Sequence, residues 1–374
     1  MPRIPERDLD RKRAVKIGFV PLIDCAPLAV AREFGFFAKH GVDVELCREA
    51  GWATIRDKIV YGELDAAHAV AGLVIAINSG LGTIRQSCVT GFLFNSHGDA
   101  ITLSRELLEA GVTSGDKLAD YLRGNGRVLT FGVVHPFSSH NFLMRDWFRR
   151  SGIMVGRDVR IVVVPPPLMT EMMEAGHVDG FCVGEPYNTV AMKNGSGGVV
   201  ARSDELSQMH PEKALVVRES FVERERDTYL RLIAALQEAC DFCDQPVNYE
   251  NLACLLSRRE YLHLKKRVIL ESFNGSLGAG GDFHLFSRYG VNRPSVEKAN
   301  WLLTQIRLCG LMSAREIGSA SVKPSEMFRT DHYDEAMELV GKIPGKDSGA
   351  VQRVKRARGV KAVPSRSERV TASL

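Results

Sequence analysis

The amino-acid sequence predicts an α/β fold of two lobes that enclose a ligand cleft. Short apolar runs alternate with helical patterns over residues 15–78 and again over residues 104–183, and the pattern turns helical after about residue 212. Repeated strand–helix–strand units are typical of sheets whose strands are joined by right-handed crossovers. We therefore expect the strands of each sheet to be parallel. The 374 residues are enough for two domains, each with its own core.

The first unit contains three predicted strands and three predicted helices. The strands are short, apolar runs, and they cover residues 15–20, 42–46 and 65–70. The helices repeat apolar residues at helical spacing, and they cover residues 27–39, 52–64 and 72–78. This order of elements predicts the sheet of a first lobe.

The second unit repeats the pattern, and a helical region follows it. Its strands are predicted at residues 128–133, 159–164 and 179–183, and its helices at residues 113–122, 140–151 and 168–175. The later helices are predicted at residues 226–244, 249–257, 265–270, 295–308 and 332–340. We therefore predict a lobe I of residues 14–103 plus 212–340, a lobe II of residues 104–211, and a basic tail at residues 341–374.

The composition is that of a soluble globular protein, with 45% hydrophobic and 25% charged residues. No apolar stretch approaches the roughly 20 residues that a membrane span needs. Residues 1–13 (MPRIPERDLDRKR) contain no apolar signal-peptide region. We therefore expect a cytoplasmic protein without a membrane span.

The net charge of +4 is unevenly distributed along the chain. Residues 341–374 carry nine Lys or Arg and two Asp or Glu, and their few large apolar residues predict a disordered tail. This tail either keeps the protein soluble or contacts an acidic partner or nucleic acid, and we expect no direct nucleic-acid function. The rest of the chain is mildly acidic, so specificity for an anion must come from a local site.

The sequence shows no pattern that pairs a nucleophile with a base, and no P-loop, G-x-G-x-x-G, G-x-S-x-G or H-E-x-x-H motif. We therefore predict a binding protein without catalytic residues or a cofactor. The lone C-x-x-C pair, Cys240 and Cys243, favours packed, reduced cysteines over a zinc site, and we predict no metal. The Gly-rich stretch at 275–281 has no lysine after it, which favours a mobile loop.

Several polar side chains follow predicted strands, where ligands of open α/β sheets bind. Trp52 starts a helix whose free N–H groups suit an anion, and its indole N–H is a donor. The alternative is a tryptophan of the core. His140, in HPFSSHN, starts the helix after the strand at 128–133, either as a donor to the ligand or as a structural hydrogen-bonding histidine.

Two further candidates are charged. Glu185, in GFCVGEPYN, either orients a donor such as His140, holds a contact between the lobes, or is an ordinary turn carboxylate. Lys213, in HPEKALVV, comes just before an apolar strand at the junction of the lobes. It either forms a charge-assisted bond to an anion or is a solvated surface lysine.

Taken together, several long blocks resemble the nitrate- and bicarbonate-binding proteins of the NrtA/CmpA type. The blocks are GFVPLIDCAPLAVAREFGFFAKHGVDVEL, GWATIRDKIVYGELDAAHAV, VVPPPLMTEMMEAGHVDGFCVGEPYN, HPEKAL and FHLFSRYGVNRPSVEKANWLLTQI. The resemblance implies a type II periplasmic-binding-protein fold, in which two α/β lobes are hinged around a cleft. It also implies an anion site formed by Trp52, Gly98, Asp99, His140 and Lys213, with Glu185 nearby.

The chain departs from this family pattern at Asp99. The transporter-type proteins read N-x-x-G-Q-A-I where this chain reads NSHGDAI, so Asp99 takes the place of a glutamine. Glutamine offers a hydrogen-bond donor, whereas an ionised aspartate offers none and repels an anion. We therefore expect Asp99 to be turned away, to be protonated, or to mark a different ligand preference.

The second departure is that residues 1–13 do not read as an export signal. In this respect the chain resembles the cytoplasmic NasS branch of the family. Those proteins bind nitrate or nitrite and release an RNA-binding antiterminator of the NasT type. The resemblance therefore implies a cytoplasmic nitrate/nitrite sensor that controls a regulator of nitrate assimilation. The alternatives are the substrate-binding component of a nitrate or bicarbonate ABC transporter, and an enzyme resembling the pyrimidine-forming thiamine-biosynthesis proteins.

Overall fold

The computed structural model describes residues 13–274, 282–312 and 323–340. The predicted Gly-rich loop at 275–281, the predicted basic tail at 341–374 and residues 1–12 lie outside the described residues. In the described part, the strands are β1 (Val15–Phe19), β2 (Val44–Arg48), β3 (Ala66–Val70), β4 (Cys88–Val89), β5 (Leu93–His97), β6 (Asp99–Ser104), β7 (Leu129–Val133), β8 (Val159–Val163), β9 (Gly180–Gly184), β10 (Gly197–Arg202), β11 (Pro211–Arg218) and β12 (His284–Leu285).

Helices cover the faces of the sheets. In the described part they are α1 (Ala26–Glu33), α2 (Phe36–Lys39), α3 (Trp52–Tyr61), α4 (Gly72–Ser79), α5 (Arg105–Glu109), α6 (Gly115–Asn125), α7 (Ser139–Arg150), α8 (Met169–Glu174), α9 (Tyr187–Asn194), α10 (Ser203–Leu206), α11 (Glu219–Arg224), α12 (Arg226–Cys243), α13 (Tyr249–Leu256), α14 (Lys266–Phe273), α15 (Val296–Leu308), α16 (Pro324–Met327) and α17 (Thr330–Met337). Short 3-10 turns occur at Ile23–Cys25, Pro166–Leu168, Pro246–Asn248 and Arg288–Gly290.

The first sheet has seven strands in the order β12-β5-β11-β3-β1-β2, with β4 beside β11. The second has five strands in the order β10-β6-β9-β7-β8. Each sheet has a parallel part, formed by β1 with β2 and β3 in the first and by β7 with β8 and β9 in the second. The two sheets give the protein the two-lobed α/β periplasmic-binding-protein fold that the sequence predicts.

The expectation that the sheets are parallel is wrong for the strands near the junction of the lobes. Strand β11 runs antiparallel to β3 and β5, and β6 runs antiparallel to β9 and β10. The cause is the connectivity, because the chain passes from one sheet to the other and returns. These crossover strands lie inside their sheets, with β11 between β5 and β3 and with β6 between β10 and β9.

The chain changes sheets first at Gly98 and later between residues 202 and 211. Gly98 has φ +94°, a left-handed conformation that favours glycine, and it separates β5 of the first sheet from β6 of the second. The predicted division after residue 103 therefore falls near the end of β6, a strand of the second sheet. The return at β11 lies next to the predicted division at 211/212.

Most predicted strands and helices correspond to observed ones, and the long predicted helix at 27–39 is interrupted. It forms α1 and α2, separated at Gly35, which has φ +82°. A left-handed residue cannot continue a right-handed helix, so the chain turns at this point. The short strands β4, β5, β6, β10 and β12 were not predicted, because isolated runs of two to six residues carry little periodicity.

Alternate residues of β11 show how the core is built. Leu215 and Val217 belong to a cluster with α1 and α12, whereas Ala214 and Val216 belong to a second cluster on the other face of the sheet. This second cluster contains residues of both lobes, among them Trp52 and Phe142. The lobes therefore share buried apolar surface beside the cleft.

Within the described ranges, none of the helices combines the length and the apolar character required to cross a bilayer.

Candidate functional site

A cluster of buried charged and polar side chains lies where the ends of the central strands of both sheets meet. Each of its members is less than 9% exposed, so their charges interact with one another rather than with water. The members from the first lobe are Asp24, Trp52, His68, Glu212 and Lys213, and those from the second lobe and the crossovers are Asp99, His140, Glu185 and His210. We call this set the cleft cluster.

Lys213 lies on β11 with its side chain wholly buried. Its Nζ is 2.7 Å from Asp24 Oδ2, contacts the carboxylate of Glu212, and lies 5.4 Å from the centroid of the Trp52 ring. Burial lowers the pKa of Lys213, but the carboxylates of Asp24 and Glu212 outweigh burial and raise the pKa above its ordinary value. Lys213 is therefore a buried, permanently charged ammonium group, and the solvated-lysine alternative is wrong.

His140 lies in the first turn of α7, which Ser138 caps by accepting the Asn141 N–H at 3.2 Å. Its Nε2 is 2.9 Å from Asp99 Oδ1 and 3.0 Å from Glu212 Oε1. Burial lowers the pKa of His140, but these two carboxylates outweigh it and raise the pKa to about 9. The imidazole is therefore protonated at neutral pH and provides a second positive charge.

Asp99 begins β6, directly after Gly98 at the crossover. Burial raises the pKa of Asp99, but the nearby imidazoles of His140 and His210 outweigh burial, so the pKa lies well below its ordinary value. The carboxylate of Asp99 faces His140, which excludes the expectation that it is turned away, and the lowered pKa favours its ionised form over its protonated form. The third expectation, that Asp99 marks a different ligand preference, stays a prediction.

Gly98 contributes its backbone rather than a donor side chain. Its carbonyl accepts the N–H of Glu185 at 3.0 Å, which connects the crossover to the end of β9. A Cβ at this position would lie 3.0 Å from His284 Nδ1, so the turn leaves no comfortable room for a side chain. Gly98 therefore fixes where Asp99 enters the cleft.

Glu212 is a member of the cleft cluster that the sequence analysis missed. It precedes Lys213, and neighbouring residues of a regular strand point to opposite faces. The pairing of β11 with β5 shifts register between Pro211 and Lys213, so the strand is irregular here and both side chains reach the cluster. The Glu212 carboxylate also accepts the hydroxyl of Ser139.

Trp52 is the first residue of α3 and is almost completely buried, at 1% exposure. Its Nε1 has no hydrogen-bond partner among the described residues. Its ring centroid lies 6.2 Å from that of His68, whose pKa is lowered to about 4 by burial. Trp52 therefore contributes both apolar surface and an available N–H donor beside Lys213. It is a tryptophan of the core and also a candidate ligand-binding residue.

The sequence analysis also did not identify Asp24 and His68 as site residues. Asp24 lies in the 3-10 turn that follows β1, so its position after a strand was the signal that could have identified it. His68 lies inside β3, and its Nε2 is 3.3 Å from Asp24 Oδ1. Both help to position Lys213 through the Asp24 carboxylate.

Glu185 ends the strand region of β9 and holds the lobes together. Its backbone carbonyl accepts the Ile23 N–H at 2.8 Å, and Ile23 belongs to the first lobe. Its side chain accepts the Thr189 N–H at 3.2 Å, and burial raises its pKa to about 7 against the opposing hydrogen bonds. These contacts support the inter-lobe reading of Glu185 rather than a role in orienting His140.

The charges of the cleft cluster are nearly balanced. The cations are Lys213 and His140, and the pKa of a third basic group, His210, is raised because Asp99 and Glu212 outweigh its burial. The acidic members are Asp24, Asp99 and Glu212, together with Glu185, whose pKa burial raises to about 7. An anion therefore meets both positive donors and negative groups in this site.

Three groups of the cluster could also hold a metal ion. The ligand atoms of Asp99, His140 and Glu212 all lie within 4.8 Å of one another. A metal ion requires the neutral imidazole, and the raised pKa of His140 favours its protonated form at neutral pH. The arrangement is therefore better suited to an ion-pair network.

The fold and the cleft cluster define the chain as a two-lobed α/β protein of the periplasmic-binding-protein type. A family model described as the NMT1-like family matches residues 9–257. The chain belongs to this family.

Relatives of known name agree with the resemblance inferred from the sequence. The nitrate/nitrite binding protein NrtA of Synechococcus elongatus is 29% identical over 368 residues, which cover 92% of this chain and 83% of that protein. The nitrate import ATP-binding protein NrtC of Synechocystis sp. is 38% identical over 305 residues, which cover 79% of this chain and 46% of NrtC. The chain thus spans less than half the length of that curated relative.

A solved structure shows the same fold. The crystal structure of the periplasmic nitrate-binding protein NrtA from Synechocystis matches with a TM-score of 0.82 at 27% sequence identity. The match covers 89% of this chain and 91% of that chain. The resemblance to the NrtA type is therefore confirmed.

Proposed function

We propose that the chain binds nitrate or nitrite in the cleft between its lobes and performs no chemistry on it. The observation that carries this proposal is the wholly buried ammonium of Lys213, which shares the Glu212 carboxylate with His140 of the other lobe in a chain similar to nitrate-binding proteins. A buried cation requires a negative partner, and here Lys213 and His140 share the carboxylate of Glu212, a charge that a bound anion also supplies. Such a pair is suited to hold a small monoanion.

The donors around this position fit a planar anion with several acceptor oxygens. Lys213 and His140 supply charge-assisted hydrogen bonds, and Trp52 supplies the indole N–H that has no partner among the described residues. The first turn of α3 adds backbone N–H groups at a helix N-terminus. Binding from both lobes favours closure by a hinge motion.

The finer proposal is a cytoplasmic sensor that controls an antiterminator-type regulatory protein. The support for it is mechanistic, because an anion held by both lobes couples occupancy of the cleft to the relative position of the lobes. A regulator that recognises one position of the lobes is then released or retained by linkage, and ligand and regulator weaken each other equally. The regulator is the partner this proposal requires.

The second candidate is the substrate-binding component of an ABC transporter for nitrate or bicarbonate. It is favoured by the similarity to NrtC, which is a nitrate import ATP-binding protein, and to NrtA. Both candidates use the same fold and the same cleft. They differ in the protein that contacts the closed lobes.

Isothermal titration with nitrate, nitrite and bicarbonate at fixed ionic strength tests the proposed ligand. Saturable binding of nitrate or nitrite at one site per chain supports the proposal, and binding of bicarbonate alone assigns the cleft to inorganic carbon. Size-exclusion chromatography with a NasT-type antiterminator then tests the sensor. A complex that dissociates on addition of nitrate supports it, and failure to form a complex favours the transporter component.

A further inference from the structure

The donors of the proposed anion site already converge on one carboxylate of the chain itself. The Glu212 carboxylate contacts Lys213 Nζ, accepts the Ser139 hydroxyl, and has Oε1 at 3.0 Å from His140 Nε2. His210 Nε2 lies 3.7 Å from Glu212 Oε2. The Glu212 side chain is wholly buried, so bulk solvent does not reach these contacts.

These contacts cross the cleft. Glu212 and Lys213 lie on β11 of the first sheet, whereas Ser139 and His140 lie in the first turn of α7, which packs on the second sheet. The carboxylate therefore joins the two lobes through the same groups that we propose for the anion. It holds the lobes together as a bound anion would.

A carboxylate also resembles nitrate and nitrite in the properties that matter to these donors. Each has a single negative charge shared among oxygen atoms in one plane, and each accepts hydrogen bonds from ammonium, imidazolium and hydroxyl groups. Two such anions in one buried site repel each other strongly, because the low dielectric weakens screening. Glu212 and the anion therefore compete for Lys213 and His140.

We propose that Glu212 is an intramolecular competitor of the anion, whose carboxylate occupies Lys213, His140 and Ser139 and leaves them when the ligand enters. This inference rests on the proposed function of the cleft. Glu212 then controls the affinity of the cleft for the anion, because displacing its carboxylate costs part of the binding free energy. Removing the charge at Glu212 therefore strengthens anion binding, although Glu212 itself lies in the site.

The test is isothermal titration of nitrate into wild type, Glu212→Gln and Glu212→Asp at one pH and fixed ionic strength. Glutamine keeps the length of the side chain and removes its charge, and we expect its Kd for nitrate to fall at least tenfold. Aspartate keeps the charge but shortens the reach to Ser139 and His140, and we expect a smaller fall in Kd. Circular dichroism and thermal melting establish that each variant is folded, and either folded variant is sufficient for the test.

The matched control is Glu63→Gln, which makes the same change of net charge at an exposed position after α3. We expect its Kd for nitrate to equal that of wild type. If wild type binds nitrate and the folded Glu212 variants bind it equally or more weakly, the competitor role is wrong while the proposed function stands. If neither wild type nor the Glu212 variants bind nitrate, nitrite or bicarbonate, the proposed function is wrong and the inference fails with it.

Discussion

At the scale of single residues, the central feature is a histidine held in its charged form by two buried carboxylates. His140 Nε2 lies 2.9 Å from Asp99 and 3.0 Å from Glu212, and its pKa is raised to about 9 against the effect of burial. The same pairing lowers the pKa of Asp99, which replaces the glutamine of the transporter-type pattern. The replacement therefore exchanges a neutral donor for a group that keeps His140 positive.

This pairing predicts how stability depends on pH. The pKa of His140 is higher in the folded protein than its ordinary value of 6.5, so above that pH the folded protein keeps a proton that the unfolded chain has already released. The stabilisation is fully present below about pH 6.5 and is lost as the pH rises through about 9. We expect the thermal midpoint of the wild type to fall over this range.

The matched variant is His140→Gln, which cannot titrate. We expect the fall in its thermal midpoint between pH 6.5 and pH 9 to be smaller than in the wild type, measured by differential scanning calorimetry in buffers of equal ionic strength. Equal slopes in the two proteins would show that His140 does not carry the raised pKa.

At the scale of secondary-structure elements, the start of α7 determines where His140 lies. Ser138 caps this helix by accepting the Asn141 N–H at 3.2 Å, and its hydroxyl donates to the His135 carbonyl at 2.7 Å. Loss of an N-cap side chain costs about 1 kcal/mol of stability. Because His140 lies in the first turn, the cap also positions the cation of the second lobe.

We predict that Ser138→Ala lowers the free energy of unfolding by about 1 kcal/mol and weakens nitrate binding severalfold. The matched control is Ser114→Ala, which removes the N-cap of α6 in the same lobe, where Ser114 accepts the Lys117 N–H at 3.3 Å. We expect a similar loss of stability from the control without a change in Kd. Chemical denaturation and calorimetric titration measure the two effects, and equal Kd values for both variants would argue against the positioning role of α7.

How much of these elements the sequence predicts depends on the range of the interactions that form them. The strands of the parallel parts and their following helices were predicted, because each is a local apolar pattern. The antiparallel pairings of β6 and β11 depend on contacts between distant segments, and the sequence does not show them. The sequence pattern placed Trp52, His140 and Lys213 after or beside strands, and the structure brings Lys213 close to Trp52.

The site residues that the sequence did not predict also depend on contacts between distant segments. Glu212 reaches the cleft cluster because β11 is irregular between Pro211 and Lys213, and regular alternation would have turned it away from Lys213. His68 is an interior residue of β3, and only the packing of the sheets shows that it faces Asp24. Pairwise packing, rather than local pattern, determines these contacts.

At the scale of the whole molecule, the lobes approach each other very closely near the cleft. A Cβ added to Gly72, the first residue of α4, would lie 2.2 Å from the backbone carbonyl oxygen of Phe137 in the other lobe. Backbone cannot move aside as a flexible side chain does, so only glycine permits this approach. Closure of the lobes therefore depends on Gly72.

We predict that Gly72→Ala prevents full closure and raises the Kd for nitrate at least tenfold, while each lobe stays folded. Small-angle scattering is expected to show a larger radius of gyration than for the wild type. The control is Gly124→Ala in α6, where a new Cβ meets no atom within 4 Å. An unchanged radius of gyration and Kd in the Gly72 variant would show that the two lobes need not approach at this point.

The most direct test of the central claim is calorimetric titration of nitrate into the wild type and Lys213→Ala, with circular dichroism as a check of folding. The account predicts saturable binding at one site in the wild type. It predicts no detectable binding in the folded variant, because the variant lacks the buried ammonium that the first lobe contributes beside Glu212. In the sensor proposal, this variant still binds the regulator and no longer responds to nitrate. Equal nitrate affinity in the two proteins would contradict the account and place the anion outside the cleft cluster.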